Sequence, residues 1–184
     1  MSAAEDDLAP EDTGYKAPAM ASVDDMTKLD ADDEALNKWK AQLLGDSAGA
    51  SAGGPKVQVL KMELLSEGKV LALDLTGDLS SLEMQVLQGV EYKIRITFKI
   101  NNEVVAGLKY LAGIYRKGIR LAKIEHMLGS YGPKAEDQMA TTQADDAPSG
   151  MLGRGTYTIK SKFIDDDKEV HLAWEWKLKV AKDW

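Results

Sequence analysis

The chain has no cysteine and, among 184 residues, only two phenylalanines, two histidines and five prolines. Without cysteine there is no disulfide framework and no thiolate metal site, which fits a reducing compartment. His126 and His171 stand without Asp-x-His or His-x-x-x-His spacing, so each reads as a surface or strand residue rather than a ligand or a base. No Gly-x-Gly-x-x-Gly or Gly-Lys-Ser/Thr loop is present, so no nucleotide site is indicated. Asp165, Asp166 and Asp167 lack the alternating ligands, central glycine and closing glutamate of a calcium loop. No run approaches the length of a membrane-spanning helix, and the acidic, Ala-rich amino terminus is unlike a signal peptide. These absences point to a soluble, cytoplasmic binding module with no cofactor, no metal, no stable membrane insertion and no catalytic constellation.

The scarcity of positive charge is local. Residues 1–46 carry 12 Asp or Glu against 4 Lys, a net of −8 against −7 for the whole chain, so the remainder is close to neutral. An acidic arm argues against nucleic acid and against an anionic membrane surface. It suits a basic protein partner, with a merely solvating tail as the plainer alternative.

The arm divides further. Residues 1–21 have no apolar periodicity and read as disordered, with Tyr15 as their only aromatic. A helix-turn-helix follows over about 22–45. Ser22 with Asp25 makes a capping-box-like start, and Asp30 is the expected cap of a longer helix with Asp32, Asp33 and Glu34 in its first turn. Leu36, Trp39 and Leu43 form its narrow apolar stripe, and Gly45 closes it. Residues 47–55 are Gly, Ala and Ser before a proline, a flexible linker.

From 56 to 184 the period changes to two. Val57 and Val59 open a first strand, and Leu71, Leu73 and Leu75 mark a second. Tyr92, Ile94, Ile96, Phe98 and Ile100 alternate with Lys93, Arg95, Thr97 and Lys99. Asn101 and Asn102 read as a two-residue hairpin leading to Val104, Val105 and a strand through Tyr115, followed by another from Ile119 to Met127. Gly129 to Gly150 reads as a long polar loop. In the last segment Tyr157, Ile159 and Phe163, with Ser161 as a gap, face Leu172, Trp174, Trp176, Leu178 and Val180 across the turn Asp165–Lys168. Seven or so short strands give an all-β, immunoglobulin-like antiparallel β-sandwich preceded by a partly disordered helical arm. The same alternation specifies a solid core or two sheets holding an apolar slot, and the solid core is the ordinary expectation.

The strings LDADDEALNKWKAQLLG (Leu29 to Gly45), LALDLTGDL (Leu71 to Leu79), GVEYKIRITFKINNEVVAGLKY (Gly89 to Tyr110), GSYGPKAE (Gly129 to Glu136), IKSKFIDDDK and WEWKL resemble the Rho GDP-dissociation inhibitor family, in order, from about Tyr15 to Trp184. The resemblance implies a chaperone of prenylated Rho-family small GTPases. Such a protein shelters a geranylgeranyl group between its sheets, covers the GTPase switch regions with its arm, slows GDP release and draws its partner off membranes as a 1:1 complex of two monomers. By that resemblance Leu64, Tyr92, Ile94, Val104, Ile159, Trp174 and Trp176 fall at the prenyl slot. Tyr15, Asp30 and Asp33 fall at the switch contact, and Glu125 and Asp167 near the basic tail that precedes the lipid. Ala122 stands where relatives commonly have another acid, and the segment Ser80 to Gln88 is shorter than usual. The alternative is a general lipid-carrier sandwich whose arm regulates nothing.

Overall fold

The alternating stretches become strands. The computed structural model describes Leu8 and residues 32–38, 54–79, 81–101 and 103–184; Tyr15, Asp30, and most of the expected helix-turn-helix and linker lie outside them. Ten strands follow in order: β1 (Val57–Ser66), β2 (Lys69–Asp74), β3 (Glu83–Leu87), β4 (Glu91–Ile100), β5 (Val105–Arg116), β6 (Ile119–Tyr131), β7 (Gln138–Thr141), β8 (Asp145–Asp146), β9 (Gly155–Ile164) and β10 (Val170–Ala181). Sheet A runs β2-β1-β4-β7 with β8 also on β4, and sheet B runs β3-β10-β9-β5-β6. The described pairs are antiparallel apart from β3, which lies parallel to β10.

Two hairpins are closed by local chemistry. Glu67 and Gly68 take φ of 46° and 74°, and Lys117 and Gly118 take 52° and 81°. Paired positive φ is the two-residue turn whose twist matches that of the strands, and glycine at its second position relieves the crowding there. Between the sheets the apolar sides interlock. Met62, Leu64, Ile96, Phe98, Ile100, Leu108 and Phe163 are buried in one core cluster, where Phe98 meets Tyr131 edge-on at 4.9 Å and Phe163 at 5.4 Å.

Two local expectations are corrected. Asn101 and its neighbour do not close a hairpin, because β4 belongs to sheet A and β5 to sheet B, so the chain crosses between sheets here. Buried Asn101 instead donates its side-chain amide to the Pro55 carbonyl at 2.7 Å, and its backbone N–H goes to Lys56 at 3.1 Å, tying the crossing to the start of β1. The polar stretch after Gly129 is not all loop. Residues 138–141 and 145–146 pair with β4 and complete the edge of sheet A, their ladder bonds replacing the apolar signal they lack. Among residues 81–88, Met84 and Val86 are buried in β3.

Candidate functional site

Both sheets contribute to one enclosed apolar crevice. Tyr92 and Ile94 line it from β4, Tyr110, Ala112 and Ile114 from β5, Ile124 from β6, Ile159 from β9, Trp176 from β10 and Asp145 from β8. Strand register explains the grouping. Ile114 lies opposite Ile159, Ile159 opposite Trp176, and Ala112 opposite Ile124, so alternate residues of four neighbouring strands form a continuous wall. Ala112, with a single methyl at the centre of that wall, leaves the space the crevice occupies. Its free volume is about 10 Å³, enough for about one water, so a larger ligand enters only as the sheets part.

Ser161, the gap in the apolar alternation of β9, is a polar hub behind the wall. It is buried at 1% exposure. The Trp176 indole N–H donates to its Oγ at 3.0 Å, and the Tyr110 hydroxyl lies 2.9 Å from the same atom. Aromatic rings with one polar tip need such a partner once buried, so the serine fixes two wall rings at once. Burial pushes the Tyr110 phenol up to about 12, against the pull of its hydrogen bonds. Burial, then the Asp145 charge, pushes Tyr92 higher still. Both stay neutral at ordinary pH, so the tyrosines add no charge to the wall. Trp174, tilted against Tyr110 with ring centroids 6.1 Å apart, has an indole N–H with no acceptor among the described residues.

Neither histidine is an ordinary surface residue. His126 Nε2 and Asp145 Oδ2 lie 2.8 Å apart, and because β6 belongs to sheet B and β8 to sheet A, this bond links the sheets at the crevice. His171 Nε2 meets Asp165 Oδ2 at 2.9 Å. Sequence separations of 19 and 6 hid both pairs. With Glu169, Asp165 and His171 bring three ligand atoms within 4.8 Å of one another. Lys56 Nζ stands 3.6 Å from each carboxylate, however. Burial pulls the Lys56 pKa down, but Asp165, Glu103 and Glu169 more than offset that and raise it. A lysine therefore already supplies the cluster's positive charge, which pins the β9–β10 turn to the start of β1.

Of the residues expected at the slot, Tyr92, Ile94, Ile159 and Trp176 line the crevice, whereas Leu64, Val104 and Trp174 are buried away from it. Tyr110, Ala112, Ile114, Ile124 and Asp145 join them. Glu125 lies on the opposite side of β6 from the crevice, 3.8 Å from both Lys109 and Lys123, and Asp167 is exposed in the β9–β10 turn. In the arm, residues 34–38 are helical and Asp33 is their cap, where Asp30 had been expected. Its Oδ1 accepts from the Ala35 and Leu36 amides at 2.9 and 3.0 Å, the second and third helical positions that a capping side chain reaches.

The chain matches, over residues 1–183, the family described as RHO protein GDP dissociation inhibitor. It is 47% identical over 188 residues to Rho GDP-dissociation inhibitor 1 of Homo sapiens, covering 99% of this chain and 92% of that one. Rho GDP-dissociation inhibitor 3 of Bos taurus is 45% identical over 185 residues, covering 97% and 81%. Its Homo sapiens counterpart is 44% identical over 186 residues, covering 97% and 81%.

Proposed function

The chain belongs to the RHO protein GDP dissociation inhibitor family, whose members are regulatory binding proteins and not enzymes, and on that premise we propose how its parts divide the work of holding a Rho GTPase. The crevice between the sheets receives the isoprenoid of a prenylated Rho-family protein. The acidic arm, through Asp33 with Asp30 and Tyr15, contacts the switch regions, whose order controls nucleotide exchange. Glu125 and Asp167, joined by Asp145 at the crevice, face the basic segment that precedes the lipid. Partner and inhibitor form a 1:1 complex in the cytoplasm. No helix among the described residues is long and apolar enough to cross a membrane.

One observation carries this reading: the aromatic and aliphatic crevice runs between two sheets, beside the His126–Asp145 hydrogen bond that links them. Each buried CH₂ of a lipid is worth roughly 0.8 kcal/mol, and one chain alone holds a protein to a bilayer only marginally, a basic patch being the usual second signal. A crevice that takes the chain while acidic residues cover that patch competes with the membrane for both. An arm that holds the switches in one arrangement slows GDP release without any chemistry.

The test compares full-length protein with residues 55–184 against a geranylgeranylated Rho GTPase on anionic vesicles. Both forms are expected to lift the GTPase from the vesicles, and only the full-length chain to slow GDP release strongly. Equal release rates would leave a lipid carrier without switch regulation. Failure of both forms to extract the GTPase would remove the crevice from the account.

A further inference from the structure

Sheet B has a second side, turned away from sheet A, and its middle is covered. On β5 the core takes Tyr110 and Ala112, so the alternation turns Leu111, Gly113 and Tyr115 outward. Yet Leu111 is 0% and Tyr115 9% exposed. The outward residues of β10, Ala173, Glu175, Lys177 and Lys179, are exposed as an uncovered sheet face should be. The cover is therefore local to β5 and its neighbours, and the structure identifies a part of it. Leu8, far upstream of every strand, is 3% exposed. A Cβ built on Gly113 would fall 2.9 Å from Leu8 Cδ2 and 2.7 Å from Tyr115 Cε2. The missing side chain at Gly113 is what makes the notch that Leu8 occupies.

Charge agrees with this placement. Lys123 and Lys160 lie in register on either side of Gly113, and Lys109 and Lys162 in the neighbouring rows of the same face. Leu8 sits in the sequence between Asp6, Asp7, Glu11 and Asp12. At about 3.3–3.6 Å of reach per residue, those carboxylates lie within range of the lysines once Leu8 is seated.

We propose that the outer face of sheet B is a docking surface for the chain's own acidic amino-terminal segment, with Leu8 as the apolar anchor in the Gly113 notch and the lysines around it as counter-charges. The docked segment sits on the side of sheet B opposite the crevice, so it leaves lipid access untouched. A partner that engages the arm through this segment has to draw it off the sheet, and the arm's apparent affinity is reduced by the fraction docked. A contact made by one leucine and screened surface charges is reversible and weakens with salt.

The absence of cysteine makes the test direct. A nitroxide is attached at Ala4→Cys in the full chain, and backbone amide intensities are compared before and after reduction of the label. Gly113 and Lys160 are expected to lose more than half their intensity, with Met139 on sheet A unaffected. Leu8→Asp, which lies outside the core cluster, is expected to restore the Gly113 signal while leaving the amide positions of Ile96 and Phe98 unchanged. Equal intensities at Gly113 and Met139 would overturn the docking, and so would attenuation that persists in Leu8→Asp.

Discussion

Replacing Ser161 with alanine removes one hydroxyl from a site at 1% exposure and strands two groups at once. The Trp176 indole N–H at 3.0 Å and the Tyr110 hydroxyl at 2.9 Å both lose the hydroxyl they share. A buried donor left unsatisfied costs about 1–3 kcal/mol, so Ser161→Ala is expected to destabilise the sandwich by about 2–5 kcal/mol. At roughly 3–4 °C per kcal/mol for a domain of this size, Tm falls by about 6–20 °C. The direct assay is urea unfolding of four proteins: wild type, Ser161→Ala, Tyr110→Phe and the double variant. Because Tyr110→Phe removes one of the stranded groups, Ser161→Ala should cost less in that background, by about 0.5–3 kcal/mol of coupling. A cost for Ser161→Ala under about 0.5 kcal/mol, or one that is the same in both backgrounds, would refute the hub.

Three further outcomes follow from the same geometry. Ile124→Arg places a charge in the crevice wall on the edge strand β6, and is expected to weaken binding of a geranylgeranylated GTPase by at least about tenfold, about 1.4 kcal/mol; equilibrium titration reads this, and unchanged affinity would move the lipid elsewhere. Asp33→Ala removes a helix cap worth about 1 kcal/mol and should restore much of the GDP release that the wild type suppresses while vesicle extraction persists; stopped-flow nucleotide release measures it. Glu63 tests the electrostatics of sheet A: Arg95 at 2.7 Å, and then Lys61, hold its carboxyl below the ordinary range against the effect of burial. A depressed folded-state pKa means the contribution is complete above the unfolded value of about 4.3 and is lost as pH falls through the folded one. Glu63→Gln should therefore cost about 0.5–1 kcal/mol at pH 7, with the gap to wild type closing in acid; a gap that stays constant from neutral to strongly acidic pH would contradict the pairing.

The sequence made legible what depends on period. Both β4 and β10 could be read residue by residue, because one buried face forces alternation, and three of the crevice residues, Tyr92, Ile94 and Trp176, came with them, with Ile159 read from β9. Tyr110, Ala112 and Ile114 carry the same alternation in β5 but were hidden in a run apolar on both faces, since Leu111 and Tyr115 are buried on the outer side as well. What period cannot encode is pairing at a distance. The switch of sheet after Ile100, the ladder that 138–141 makes with β4, and the His126–Asp145 and His171–Asp165 bonds are all set by tertiary contact and leave no local mark. Ser161 did leave one, as a polar residue in an apolar row, and its meaning emerged only when Tyr110 and Trp176 were seen to converge on it.

The central claim is that the crevice between the sheets pays its way through lipid, and it is tested most directly by the affinity of the full-length chain for one Rho GTPase prepared with and without its geranylgeranyl group. With roughly 0.8 kcal/mol available per buried CH₂, less what parting the sheets costs, the lipidated form should bind at least on the order of 100-fold more tightly. Equal affinities would contradict the claim.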